Sequence, residues 1–206
     1  MAYNEFTLDG MIRLFDLRVV SQPDAFVEAA FVTLSSLLRE TLAESVPLAL
    51  EVSTEKARSE FIIAPVLAEV RRQLGGRVSL FSGIDFTVDS EAGLRGVCDF
   101  LFSLSPLQLF VQAPVVAVVE AKNENIKAGI GQCVAEMLAA QRFNAARAAP
   151  LPAIYGVVTT GSNWKFLRLT GTLVTVDQAE YTIGQPEQIV GLLVAMIREA
   201  QESQNG

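Results

Sequence analysis

The feature that most limits the fold is a strand-sized run in mid-chain, Pro114-Val115-Val116-Ala117-Val118-Val119-Glu120-Ala121-Lys122. Its apolar part has no polar alternation. A strand wetted on one face alternates, so this run predicts a central strand, Val115 to Lys122, covered on both faces. The order of segments along the chain, helices, three strands, helix, two or three strands, helix, makes the fold class α/β, a sandwich around a mixed β-sheet. The run also ends in two opposite charges. Side chains alternate along a strand, so Glu120 and Lys122 share a face, roughly 6 to 7 Å apart, with Val119 and Ala121 on the other. Burying either charge alone is costly, so the two need each other, a metal ion or water.

The flanking segments complete the sandwich. Val78 to Val88 and Leu94 to Leu104 are two extended segments joined by the turn Ser90-Glu91-Ala92-Gly93, a predicted hairpin. After the central strand comes a helix, Ile126 to Ala146, rich in small residues that let it lie close to a sheet. Ala153 to Thr160 is a buried strand, Trp164 to Leu169 another, and Thr172 to Val176 can pair with it. An amphipathic helix, Pro186 to Glu202, closes the chain. Before the hairpin, Ser53 or Thr54 opens a helix that Pro65 should bend or split and Gly75-Gly76 should end. Asp24 is the predicted cap of an earlier helix through Phe26, Ala29, Ala30, Val32, Leu34, Leu37 and Leu38. Leu48 to Val52 reads as a strand or a turn, and the segment up to about Val20 is too mixed to assign. The 206 residues suit a single domain: an N-terminal helical extension (1–52), a core (53–170), and a C-terminal strand and helix (171–206).

Composition narrows the chemistry. The sequence has no His, and Cys98 and Cys133 sit inside apolar patterns as core thiols. That excludes Ser-His-Asp and Cys-His nucleophiles and most zinc sites. Carboxylates, lysine, hydroxyls or a hard ion such as Mg2+ or Mn2+ remain. No apolar run reaches the roughly 18 to 20 residues that span a bilayer, and the N-terminus lacks a signal-peptide pattern, so a cytoplasmic protein without a membrane partner is expected.

A second acid interrupts an apolar strand at Val97-Cys98-Asp99-Phe100-Leu101-Phe102. A lone Asp there disfavours a strand and costs desolvation, and a partner cation relieves both. If the second and third strands are neighbours, Asp99, Glu120 and the carbonyl of Ala121 form a partial oxygen cage for Mg2+. These residues resemble the PD-(D/E)XK superfamily of phosphodiesterases: Asp99, twenty intervening residues, then Glu120-Ala121-Lys122. Gln132 in Gly129-Ile130-Gly131-Gln132 stands where many members carry a Gln. Glu60, on the helix before the hairpin, stands where members often carry a Glu. Cys98 replaces the usual Pro before Asp99. The likeness covers about Ser53 to Leu169 and implies a restriction-endonuclease-like core. It further implies Mg2+-dependent hydrolysis of nucleic acid, DNA by preference, with Asp99 and Glu120 as metal ligands, Lys122 positioning the water, and Gln132 and Glu60 in support.

Each of these residues also has a plainer reading. Glu120 and Lys122 can form a surface ion pair, Asp99 can be a buried acid held by backbone donors, Gln132 can face solvent, and Glu60 can pair with Lys56 or with Arg58. The net charge of -7 opposes simple DNA coating. It keeps open an inactive binding or regulatory module of the same fold. A homodimer through Ile189, Leu192, Leu193, Met196 and Ile197 is a further option, although core packing explains that stripe equally well. Arg142, Arg147, Lys165 and Arg168 are open candidates for phosphate contacts.

Overall fold

The computed structural model describes residues 1–23, 25–26 and 31–205. In chain order the elements are α1 (Leu8–Phe15), β1 (Arg18–Gln22), α2 (Ser36–Val52), α3 (Glu55–Arg58), a π-helical turn (Ser59–Ile63) and α4 (Ala64–Gln73). There follow β2 (Ser79–Asp85), β3 (Val97–Ser103), β4 (Val115–Ala121), α5 (Ile126–Ala146), β5 (Ile154–Thr159), β6 (Asn163–Thr170), β7 (Leu173–Asp177), β8 (Tyr181–Thr182) and α6 (Pro186–Asn205). The sheet runs β1-β7-β6-β5-β4-β3-β2, with β8 on β6. It is mixed: β4 pairs parallel with β5 and antiparallel with β3. The chain is thus an α/β sandwich around a mixed sheet, as the order of helical and extended segments predicts.

That run is β4, buried at every residue. Helix α5 covers one face. Gly156 and Val158 of β5 meet it: a Cβ on Gly156 would lie 2.4 Å from Met137 Sδ, and one on Gly129 2.7 Å from Val158 Cγ1. The β4–β5 register pairs Glu120 with Val158, so Glu120 and Lys122 also face α5. Almost the whole circumference of α5 is buried, as expected for a helix apolar on all sides. Its outer side packs on the N-terminal segment, where a Cβ on Gly131 would lie 2.5 Å from the Phe6 carbonyl oxygen. Tyr155 points the other way, towards Glu199 of α6. The stripe Ile189, Leu192, Leu193, Met196 and Ile197 of α6 is buried in the protein's own core, which accounts for it without a second copy. Among the described residues no helix is long and apolar enough to cross a membrane.

Asn144 fixes where β4 begins. The β4–β5 ladder starts only at Ala117↔Tyr155, which leaves the main chain of Val115 to be satisfied elsewhere. Asn144 Oδ1 accepts from the Val115 N–H and its Nδ2 donates to the Val115 carbonyl, both at 2.7 Å and fully buried. Replacing it by Leu strands a buried donor and a buried acceptor. Asn144→Leu is expected to cost about 3 kcal/mol, read as a lower urea midpoint at unchanged slope.

The expected N-terminal helix differs from the observed one. Asp24, Ala29 and Ala30 lie outside the described residues, while Val32 and Leu34 are not helical. The helix begins at Ser36, because Ser35 caps it by accepting from the Leu38 N–H at 3.2 Å. Glu69 of α4 holds that cap, accepting from the Ser35 N–H at 2.9 Å and its hydroxyl at 2.7 Å. Leu48 to Val52 is neither strand nor turn but the end of α2, which continues through Pro47. Pro47 and Ala43 are both exposed, so water can satisfy the carbonyl that Pro47 leaves unbonded. The segment before Val20 adds β1, parallel to β7, so the N-terminal extension is part of the sheet and not only helical.

Pro65 does disturb its helix. The π-helical turn lies directly before α4. The Phe61 carbonyl, which a residue at 65 would normally bond, accepts instead from the Ser45 hydroxyl at 2.6 Å.

Candidate active site

The site forms where β4 ends. Lys122 N–H donates to the Thr159 carbonyl on the β5 side at 2.8 Å. Main-chain groups of successive strand residues point to alternate sides, so Ala121 turns its N–H and carbonyl towards β3. There the β3–β4 ladder has already ended, at Phe100↔Val119. On the far edge of β3 the β2–β3 register continues unshifted from Ser82↔Phe100 to Ile84↔Cys98, and Gly83 between them has φ +60°, a conformation that favours glycine. Beyond that last β3–β4 pair the Asp99 carboxylate reaches across and accepts the Ala121 N–H at 2.8 Å. A side chain has replaced the next rung of the ladder, which explains how an acid is accommodated in an apolar strand.

On the α5 side Lys122 Nζ forms an ion pair with Glu120 Oε1. It also donates to Gln132 Oε1 at 3.1 Å, and Gln132 Nε2 donates on to Glu136 Oε1 at 3.2 Å. Gln132 therefore faces inward. Glu120 is 1% exposed and Glu136 is fully buried, and Oε2 of each lacks a hydrogen-bond partner. Burial first, and then the charge of Asp99, push the Glu120 carboxyl up to about 7, against the lowering effect of Lys122. Burial, and then Glu120, hold Glu136 well above the usual carboxylate range. The two carboxyls lie close enough to share a hydrogen bond once one is protonated. Burial alone would lower the Lys122 ammonium, but Glu120 outweighs it and raises it.

Helix α3 forms the rim. Arg58 Nη1 donates to the Thr160 carbonyl at 3.1 Å and to Ser162 Oγ at 3.0 Å, which ties α3 to the turn after β5. This places Glu55, Lys56, Ser59 and Glu60 around an open cleft of about 270 Å³ whose other walls are Ser82, Gly83, Asp99 and Ala121.

Asp99, Glu120, Ala121, Lys122 and Gln132 thus converge. Glu60 reaches the rim only, and its carboxylate is paired with Lys56 at 2.7 Å in an exposed i, i+4 contact. The four cations considered for phosphate contacts have partners within the protein. Arg142 pairs with Asp89 at 2.6 Å, Arg147 and Arg168 lie over Phe143 and Phe26, and Lys165 donates to the Gln178 carbonyl at 2.9 Å. Cys98 and Cys133 are free and buried, and burial pushes both thiols up. No motif in the sequence marks Glu136 or Glu55 as a residue of this site. Glu136 carried a usable signal, a lone acid in the apolar run Cys133-Val134-Ala135-Glu136-Met137-Leu138, four residues after Gln132.

The donor set suits a hard divalent ion. The carboxylates of Asp99 and Glu120 and the Ala121 carbonyl are hard oxygen donors, Glu120 Oε2 is an unpartnered buried oxygen, and the charge of Asp99 adds to burial in raising the Glu120 carboxyl. Among the described residues no group of three or more His, Cys, Asp or Glu side chains is placed to hold a metal ion, so a main-chain oxygen would have to contribute.

No known family model matches the chain, and no curated protein matches it. A mixed sheet between helices carries many unrelated activities, so chemistry has to be argued from the site.

Close approach of α5 is a condition for this geometry. A Cβ at Gly129 would lie 3.0 Å from Lys122 Cγ as well as 2.7 Å from Val158 Cγ1. Gly129→Ala is expected to push the helix and the Lys122 stem apart, costing about 2 kcal/mol in thermal or urea unfolding.

Proposed function

We propose that the protein is a metal-dependent nuclease of the PD-(D/E)XK type that hydrolyses phosphodiester bonds in nucleic acid, DNA by preference. One observation carries the reading: Glu120 and Lys122 pair on one face of the central strand's end, while Asp99 closes on the adjoining Ala121 N–H. The element order of helix, three strands, helix and strand supports it.

Asp99, Glu120 and the Ala121 carbonyl would hold Mg2+ or Mn2+. When bound, the ion supplies polarisation of a phosphate oxygen and stabilisation of charge on the leaving oxygen. The protein's own residues do the rest. Lys122 has three N–H donors. Two are directed at Glu120 and Gln132, and the third orients an attacking water. Gln132 holds the ammonium from the helix side. Glu60 and Lys56 at the rim limit how the substrate backbone approaches Asp99.

A second reading is an inactive binding or regulatory module of the same fold. Glu120 is 1% exposed and already neutralised by Lys122, and the net charge of -7 gives DNA no general attraction. Calorimetry with Mn2+ separates the two. Binding that disappears in both Asp99→Ala and Glu120→Ala, with Mg2+- or Mn2+-dependent nicking of plasmid or single-stranded DNA, supports the nuclease. Absence of both leaves the module.

A further inference from the structure

We propose that Glu136 is a positioning residue that fixes the side-chain amide of Gln132 and, through it, the ammonium of Lys122. Its consequence for catalysis rests on the nuclease reading; the link itself does not. Glu136 is fully buried on α5, where an acid without a partner is costly. Gln132 and Glu136 are four residues apart on one helix, so their side chains meet on one face. An ammonium only donates, so the Gln132 atom that Lys122 meets at 3.1 Å has to be the amide oxygen. The amide –NH2 then points at Glu136 Oε1, 3.2 Å away, where only an acceptor fits. Take that acceptor away and the amide is free to turn, which sets –NH2 against the ammonium, donor against donor. Glu136 thus selects the one amide orientation in which Gln132 can hold Lys122 beside Glu120.

The test follows exchange of the Lys122 ammonium protons with water, by 15N NMR on the metal-free protein. Only Lys56, Lys122, Lys127 and Lys165 contribute lysine signals, and the Lys122 signal is assigned by its loss in Lys122→Ala. Gln132→Met is expected to speed that exchange about tenfold, the scale of one ordinary hydrogen bond. Glu136→Met should do the same, and in the Gln132→Met background it should add nothing. Glu136→Gln keeps a carbonyl oxygen for the Gln132 amide and should retain the wild-type rate. Thermal melts confirm folding, and Glu136→Leu serves where the Met variant does not fold. Unchanged exchange in Glu136→Met, or further acceleration in the double variant, overturns the proposal. In the DNA assay Glu136→Met should lower kcat with KM unchanged, and Glu136→Gln should restore it. A wild-type protein without nuclease activity removes the proposed function and leaves the NMR result to decide this one.

Discussion

Glu120→Ala and Lys122→Ala are each expected to lower Mg2+-dependent DNA cleavage by at least about 100-fold, the scale on which a preorganised charge acts in a water-poor site. The two losses should not multiply. Glu120 and Lys122 are one ion pair on one face of β4, so either variant already leaves the other group misplaced, and the double variant should be little worse than the weaker single one. Asp99→Ala has a different expected profile. It frees the Ala121 N–H as well as removing a carboxylate, so it should cost stability in addition to activity. Equal cleavage by the wild type, Glu120→Ala and Lys122→Ala would sink the nuclease assignment. Cleavage that persists unchanged in chelator would sink the metal requirement.

The parts of this site that were legible in the sequence are those that depend on local pattern. An unalternating run fixes β4 as a central strand, and alternation then puts Glu120 and Lys122 on one face. The small residues of α5 announce a close approach, and Gly129 makes one. What pattern could not supply is the end of the β3–β4 ladder beside Asp99. It depends on two strands together, so neither segment alone reveals that Asp99 takes the Ala121 N–H. The start of α2 is hidden from local pattern for a related reason. Its cap, Ser35, is held by Glu69, which lies 34 residues further along, and Asp24 offered a more obvious local cap. Glu136 escaped because an acid in a helix is ordinarily read as its wet side. On α5 no such side exists over that stretch, since Cys133 to Ala140 are all buried. A lone charge in an apolar helix is as informative as Asp99 in its strand once the helix is known to be covered all round.

The second large effect is on stability and concerns the same two acids. Glu120 is pushed from its ordinary 4.5 up to about 7, and Glu136 shifts in the same direction. A carboxyl whose pKa is raised by folding binds its proton more tightly in the folded state. Its contribution is complete below about pH 4.5 and is lost as pH rises through the folded value. The metal-free protein should therefore lose stability between about pH 5 and pH 7, by roughly 3 kcal/mol from Glu120 alone. Glu136 should carry the decline to higher pH. Glu69 and Asp89 have the opposite sign, because hydrogen bonds to Ser35 and to the Ala92 N–H lower them, so they weaken the fold only in acid. The maximum should fall near pH 5, measured by urea unfolding from pH 4 to 8.5. Glu136→Gln removes an acid that burial resists ionising. It should flatten the alkaline side and raise stability at pH 8 by about 2 kcal/mol. A wild-type curve that rises from pH 5 to pH 8 would show that neither acid is held neutral by its surroundings. Glu120 would then be a carboxylate balanced by Lys122 alone, with Glu136 contributing no shared proton.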